Sequence, residues 1–365
     1  MRICFISTGA FAHVGPYLDY FHDAGHDVHF IALSPSPPRS VPTYDVGLGG
    51  MYSPRRGKWK YPLSMLRARR LVRRLRPDIV HAHFATSGGL AGLVCGFHPT
   101  VVTAHGTDLT AGIESRLWRP LLKAVFRHAA CVNTVSADFT RKAMTLGVAR
   151  SKIAEFTLGV ETSRFHAAET PVRRGSGVLR LVSTRRLEAV FDHRTIVDAL
   201  AILRAKGVDF KMTFAGDGSL RDELGALVKS RGLGDAAIFL GHVGVDAMPD
   251  LLRAHDVFLS ASRADGASLS LLEAMSAGLF PVVSRIPANE EWVEHGVGGF
   301  LHEVGDPEEL ADRVLELTRR PSLAASAAGI NRGKVAAAGD RKTNMRRLEK
   351  IYEALLARPS AREGQ

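Results

Sequence analysis

Twelve short apolar, β-branched runs alternating with helix-patterned stretches constrain the fold more than any other feature. The first six span residues 3–7, 28–33, 79–83, 101–105, 131–135 and 152–157. The second six span 179–183, 210–215, 237–240, 257–260, 282–284 and 299–301. Runs that are apolar on both faces need covering on both sides, which crossover helices give to buried parallel strands. Regular pattern lapses after Gly159, through Pro171 and Gly175-Ser176-Gly177, and then restarts. Two α/β halves of similar size therefore predict two doubly wound domains facing a central cleft. The Pro-, Ser- and Gly-rich stretch 35–54 reads as a long loop. Residues 345–356 read as an amphipathic helix and 359–365 as a frayed tail.

A chain of 365 residues can bury two sizeable cores without disulfides or a structural metal. Its three cysteines, Cys4, Cys95 and Cys131, lie far apart in apolar runs and form no CxxC. That usage fits a reduced, cytoplasmic setting. The apolar run after Arg2 ends at Ser7-Thr8-Gly9, too short for a secretory signal, and no stretch reaches spanning length. The expectation is a soluble or peripheral protein.

The net charge of +11 comes from 48 basic and 37 acidic residues. Nearly all the excess lies between Asp45 and Asp78, in Arg55, Arg56, Lys58, Lys60, Arg67, Arg69, Arg70, Arg73, Arg74 and Arg76. Met51, Tyr52, Trp59, Tyr61, Leu63, Met65 and Leu66 are interleaved with them. Cations beside Trp, Tyr and Leu suit an anionic membrane surface, each adding about 1 kcal/mol near it. The competing reading is a solvated arginine-rich helix whose Leu66 and Leu71 face the core. No nucleic-acid motif accompanies the patch, so nucleic acid is not expected as a partner.

Ligands of doubly wound sheets bind beyond the carboxyl ends of the strands. The first such loop, from Thr8 to Gly15, separates Gly9 from Gly15 too widely for GxGxxG, which argues against a nicotinamide dehydrogenase. No Walker lysine pattern, HExxH or GxSxG occurs either. The most informative segment is Arg263-Ala264-Asp265-Gly266-Ala267-Ser268-Leu269-Ser270-Leu271-Leu272-Glu273. It follows a strand and opens a helix. Gly266 permits close backbone approach, and the first-turn amides around Ser268, Leu269 and Ser270 suit an anion such as a diphosphate. Asp265 and Glu273, eight positions apart, can accept hydrogen bonds from sugar or ribose hydroxyls. The plainer reading is an Asp assisting a helix and a Glu facing solvent.

This segment resembles the E-x7-E motif of the retaining glycosyltransferase family four, which has the GT-B fold. Four further segments follow in the same order as in that family. Thr103-Ala104-His105-Gly106-Thr107-Asp108 is similar to its histidine loop, and Leu158-Gly159-Val160-Glu161-Thr162-Ser163-Arg164-Phe165 to its interdomain G-V-D-x-x-x-F. Ala215-Gly216-Asp217-Gly218 is similar to its G-x-G turn, and Leu240-Gly241-His242-Val243 to its base-contacting segment. The resemblance implies domains over residues 1–163 and 164–340, with a C-terminal helix and tail over 341–365. The first would face the acceptor and the second would hold the nucleotide sugar.

The resemblance further implies that Glu273 holds the ribose, Asp265 contacts the transferred sugar, and His105 approaches that sugar with Asp108 nearby. Gly216 and Val243 would line the nucleotide pocket, and Arg186, in Thr184-Arg185-Arg186-Leu187, would meet the diphosphate. Gly9, His13 and Gly15 fall on the acceptor side. Two departures stand out. No Lys follows Arg186 at the usual place, leaving Arg185, His193 or Arg194 to compensate. Asp265 replaces the usual Glu and is one methylene shorter. His81 and His83 share one side of a strand, where polar packing is favoured over a metal pair. No metal or cofactor is expected, the nucleotide sugar being a substrate.

The implied reaction is retaining transfer from a nucleoside diphosphate sugar, with a UDP-sugar favoured. The acceptor would be a hydroxyl in glycolipid, polysaccharide or natural-product biosynthesis. An epimerase or phosphorylase of the same fold, or a binding protein without catalysis, stays open as an alternative.

Overall fold

The computed structural model of the chain describes residues 1–9, 13–36, 40–47, 61–166 and 177–357. It divides into two compact units, Met1–Leu158 with Lys342–Gln365, and Gly159–Arg341. The expected boundary after residue 163 falls earlier for a packing reason. Val160 and Phe165 are buried in the core of the second unit, and the Val160 amide donates to the Gly339 carbonyl at 2.8 Å.

The first unit runs β1 (Arg2–Ser7), α1 (Gly15–Asp23), β2 (Asp27–Ala32), β3 (Thr43–Asp45), α2 (Tyr61–Leu75), β4 (Ile79–His83), α3 (Leu90–Cys95), β5 (Thr100–Ala104), α4 (Thr107–Glu114), α5 (Trp118–His128), β6 (Cys131–Thr134), α6 (Ala137–Thr145) and β7 (Ile153–Glu155). Its seven strands are parallel, in the order β3-β2-β1-β4-β5-β6-β7. All six strands expected from the sequence form. The stretch read as one long loop contains a further three-residue edge strand, β3, paired with β2.

The second unit runs β8 (Leu179–Ser183), α7 (His193–Ala205), β9 (Phe210–Phe214), α8 (Arg221–Ser230), β10 (Ala237–Phe239), α9 (Met248–Arg253), β11 (Val257–Ser260), α10 (Leu269–Ser276), β12 (Phe280–Ser284), α11 (Pro287–Glu290), β13 (Phe300–His302), α12 (Pro307–Arg319) and α13 (Pro321–Ala338). Its parallel order is β10-β9-β8-β11-β12-β13. Local chemistry sets the helices. Asp306 caps α12 by accepting from the Glu309 amide at 2.8 Å, and Pro307 supplies a backbone suited to its first turn. Leu310, Val314 and Leu317 then recur on one face and bury against Ile196, Leu200 and Leu203 of α7. Each such leucine contributes roughly 2–3 kcal/mol when fully buried. The opposite face of the sheet is covered by α10, whose Leu271, Leu272, Ala274 and Met275 are buried.

The final helix, α14 (Arg341–Leu356), returns to the first unit. Its buried Tyr352 stacks on Phe21 at 5.1 Å, and Glu349 accepts from Tyr20 and meets His26. Both strand orders reverse direction once, between β1 and β4 and between β8 and β11. At such points the adjoining crossovers lie on opposite faces and leave a crevice between two loops. The sequence therefore places residues 184–187 beside 261–268 in one unit. It places the residues following β1 beside those following β4 in the other.

Within the basic patch, residues 55–60 lie outside the described residues. The helix α2 buries Met65, Ala68 and Val72, while Leu71 is half-buried. Leu66 does not face the core as expected: it is 49% exposed, and Leu63 is 45% exposed.

Candidate active site

The strands β8 and β11 are paired through Leu181 and Val182 against Val257 and Phe258. The chain leaving β8 is held by its other neighbour. Ala215 donates to the Ser183 carbonyl at 2.9 Å and Leu187 to the Asp217 carbonyl at 3.0 Å. A Cβ at Gly216 would fall inside the contact distance of the Arg185 carbonyl oxygen. Gly216 thus lets the loop after β9 press on the backbone that carries Arg185.

The side chain of Arg185 spans the crevice. Its Nη2 donates to Asp265 Oδ2 at 2.5 Å, and its Nη1 donates to the hydroxyls of Ser268 and Ser270 at 3.1 and 2.7 Å. The guanidinium lies 4.2 Å from the Phe191 ring centroid. Contact with the ring and a forked set of donors fix its orientation. Arg186 goes elsewhere: its side chain is 75% exposed and pairs with Glu188 at 3.3 Å. Among the described residues it is Arg185 that reaches Asp265 and the start of α10, whereas the resemblance singled out the neighbouring Arg186.

Ser268 stands at the N-cap of α10, yet its side chain makes no capping bond to its own helix and accepts from Arg185 instead. The Leu272 amide is the first to bond back, to the Ser268 carbonyl at 3.1 Å. The preceding amides of Leu269, Ser270 and Leu271 belong to the first turn, whose N–H groups have no intrahelical acceptor. Gly266 donates to Asp265 Oδ1 at 2.7 Å, which fixes the second carboxylate oxygen.

Glu273, in the second turn of α10, has its carboxyl pushed up to about 7. Burial is the largest cause, opposed by the charges of Arg341, Arg185 and Arg164 and aided by Glu161. Glu161 itself pairs with Arg341 at 2.6 Å and with Arg164 at 3.4 Å. The segment 159–165 therefore brings charged groups to bear on Glu273. Asp265, Ser268 and Ser270 converge on Arg185 at the amino end of α10, and Gly266 holds Asp265. Val243 is half-buried beyond β10.

In the first unit the switch point collects histidines. His81 and His83 stack at 4.2 Å, and His83 and His105 at 5.2 Å. His81 is fully committed, to the Tyr352 hydroxyl at 2.5 Å and to Thr103 Oγ1 at 2.7 Å. His83 Nδ1 meets His105 Nε2 at 2.9 Å. Burial, with the neighbouring imidazoles, holds His83 and His105 well below the usual histidine range, so both are neutral at pH 7. The exposed His13 brings its ring to 5.7 Å from that of His105. Gly9 is buried beyond β1, and Gly15 is the first, buried residue of α1. Phe84 follows His83 in a left-handed conformation, with φ of 64°, and packs on His105 at 4.5 Å. For a bulky residue that backbone costs about 1–2 kcal/mol and depends on surrounding packing. The Asp108 side chain lies outside the described residues. Among the described residues no group of three His, Cys, Asp or Glu is arranged to hold a metal ion.

Comparison with known proteins matches this architecture. A model described as Glycosyltransferase Family 4 matches residues 8–164, and one described as Glycosyl transferases group 1 matches residues 179–320. The N-acetyl-alpha-D-glucosaminyl L-malate synthase of Bacillus anthracis is 26% identical over 339 residues, covering 88% of this chain and 87% of that protein. A 2-deoxystreptamine glucosyltransferase of Streptomyces kanamyceticus is 30% identical over 261 residues, 65% of this chain and 64% of that one. Sucrose-phosphate synthase from Thermosynechococcus elongatus superimposes with a TM-score of 0.81 at 19% identity, covering 98% and 99% of the two chains. Anabaena Alr3699/HepE, solved with UDP and glucose, superimposes with a TM-score of 0.80 at 18% identity, covering 97% and 100%. These likenesses identify the two sheets as those of the GT-B fold. The chain belongs to the glycosyltransferases, carrying a family 4 domain followed by a group 1 domain.

Proposed function

We propose that the protein transfers a sugar from a nucleoside diphosphate sugar, a UDP-sugar by preference, to an acceptor hydroxyl with retention of configuration. The observation that carries this reading is the amino end of α10, with Arg185 across it and Glu273 in its second turn. First-turn amides and a guanidinium together suit a diphosphate. A carboxylate one turn along suits the two ribose hydroxyls. Anabaena HepE was solved with UDP-glucose as well as with UDP, which is consistent with this donor class.

In this scheme the bond from C1 of the sugar to the β-phosphate oxygen breaks. The acceptor oxygen bonds to C1 on the same face, and its proton passes to the departing phosphate. Arg185 and the α10 amides stabilise the charge that develops on the diphosphate, so the transfer runs without a metal. Once Arg185 turns to the phosphate, Asp265 keeps lone pairs beyond the one taken by Gly266, and these read a sugar hydroxyl. His105, as a neutral imidazole, hydrogen-bonds the sugar, while Gly9, His13 and Gly15 serve the acceptor.

The same reading places the protein on the cytoplasmic face of a membrane as a peripheral enzyme. No helix among the described residues is long and apolar enough to cross one. Support comes from α2, where exposed Leu63 and Leu66 adjoin exposed Arg67, Arg70, Arg73 and Arg74. Thermal-shift measurements with UDP-, GDP- and ADP-sugars test the donor, because a ligand of the folded state raises the melting temperature. Mass spectrometry and anomeric NMR coupling of the product then test transfer and retention. No shift with any of the three would overturn the reading.

A further inference from the structure

The amino end of α10 carries an electrostatic conflict. A guanidinium rests at the positive end of a helix dipole, where a cation is disfavoured. Asp265 offsets it, and the two serine hydroxyls accept from it. The segment that carries Arg185 and the start of α7 hold buried polar atoms without partners: Ser183 Oγ, Thr184 Oγ1, Arg185 Nε and both ring nitrogens of His193, whose ring feels the Arg185 charge. His193 is 1% exposed, opens α7, and sets its ring edge-on to Phe214 at 5.7 Å. An imidazole buried with neither nitrogen satisfied is costly.

We propose that His193 is a positioning residue for Arg185. When a diphosphate takes the amino end of α10, the guanidinium turns from Asp265 to the phosphate, and its Nε–H donates to a ring nitrogen of neutral His193. This rests on the function proposed above and adds a residue to it. One movement then satisfies two buried groups that lack partners and replaces a disfavoured cation with an anion at the helix tip.

The charges that bear on His193 are consistent with an acceptor role. Burial, with the Arg185 charge, pushes its imidazole down to about 4, and Asp192 opposes this more weakly, so the ring is neutral at pH 7. Asp192 is engaged elsewhere, with Arg263 at 2.7 Å. The Arg263 amide donates to the Val190 carbonyl at 2.9 Å, which fastens the start of α7 to the loop carrying Asp265. Asp192 also adopts a left-handed backbone, with φ of 45°, immediately before His193.

A double-mutant cycle on UDP affinity, read by calorimetry at pH 7.5, tests the pairing with Arg185→Ala, His193→Phe and the combination. His193→Phe in the wild-type background should weaken UDP binding about tenfold or more, as loss of a charge-assisted hydrogen bond does. In the Arg185→Ala background it should change affinity by less than about threefold. His193→Gln, whose side-chain carbonyl can accept from Nε–H, should recover most of the loss. Matched melting temperatures of the His193 variants exclude a folding defect as the cause. Additive losses, or failure of Gln to rescue while UDP still binds the wild type, would overturn the role of His193 alone. A wild type that binds no UDP, GDP or ADP would overturn the parent reading together with it.

Discussion

Arg185 donates to Asp265 at 2.5 Å across the amino end of α10, and both side chains are largely buried. Under the proposed function, the carboxylate assigned to sugar recognition is, before the donor binds, the counter-ion of the cation that then meets the diphosphate. Donor recognition and leaving-group stabilisation would then depend on one ion pair. Disturbing either member should affect both.

Arg185→Ala should lower turnover by about 100-fold or more, the scale at which a single donor to a developing anion matters. Arg185→Lys should recover only part of this, because an ammonium cannot serve Asp265, Ser268 and Ser270 from one plane. Arg186→Ala removes an exposed pair with Glu188 and should leave turnover within about threefold. Steady-state kinetics on the three variants decide between the neighbouring arginines; equal losses for Arg185→Ala and Arg186→Ala would remove the distinction.

Glu273 makes a pH-dependent prediction with two readouts of opposite sign. Its folded value of about 7 lies above the ordinary carboxyl value, so the native state holds the extra proton between about 4.5 and 7. Stability from this group is full below that window and falls as pH rises through it, by up to about 3 kcal/mol at pH 8. Glu273→Gln should therefore raise the melting temperature at pH 8 and change it little at pH 5. The same variant should bind donor more weakly, since an ionised carboxylate gives two ribose hydroxyls stronger, paired acceptors than an amide does. Wild-type donor affinity should rise between pH 6 and 8. Scanning calorimetry and titration at the two pH values check both signs.

Gly216→Ala tests whether the glycine acts through Arg185. The added methyl would meet the Arg185 carbonyl, and relieving that overlap costs about 1–3 kcal/mol. The loop would shift and carry the guanidinium off Asp265. A fall in turnover with little change in melting temperature indicates displacement of Arg185. Unaltered kinetics would make Gly216 a packing residue only.

Membrane association is testable on α2. Replacing Leu63 and Leu66 with Ser, and Arg67, Arg70, Arg73 and Arg74 with Ser, should each reduce sedimentation with anionic vesicles. At about 1 kcal/mol per cation, the arginine variant should lose two or more orders of magnitude in partitioning. Neutral vesicles should bind the wild type weakly. Indifference of binding to all six changes would assign the exposed face to solvent.

The β-branched runs made both sheets legible because buried parallel strands leave little freedom of composition. Thr43–Asp45 was missed because three polar or aromatic residues beside Pro42 carry no period. In α2 two stripes, 63–66–70 and 65–68–72, have similar spacing, so periodicity alone could not choose which one faces inward. The structure buries Met65, Ala68 and Val72. The amino end of α10 as a candidate anion site followed from Gly266, Ser268 and the strand before them. The choice of Arg185 over Arg186 depended on β9 pressing Gly216 against the loop, a long-range contact with no local signature. The unpartnered state of His193 was likewise invisible, since it reflects what does not pack against the ring.

The stacked histidines of the first unit predict acid sensitivity there. His81 is lowered to about 3 by burial and the His105 charge, and His83 and His105 lie well below the usual value. Unfolding lets each take a proton near pH 6.5, so between the folded and unfolded values the unfolded state binds more protons. Stability from these groups is therefore full above about pH 6.5 and is lost progressively as pH falls below it. Hydrogen exchange should show protection declining from pH 7 to 5 in β4, β5 and α14, where the His81–Tyr352 bond joins elements distant in sequence. His81→Gln should lower stability at pH 7, since the amide cannot reproduce both bonds, yet reduce the further loss at pH 5. Equal pH slopes in the variant and the wild type would mean that the buried histidines do not set the acid response.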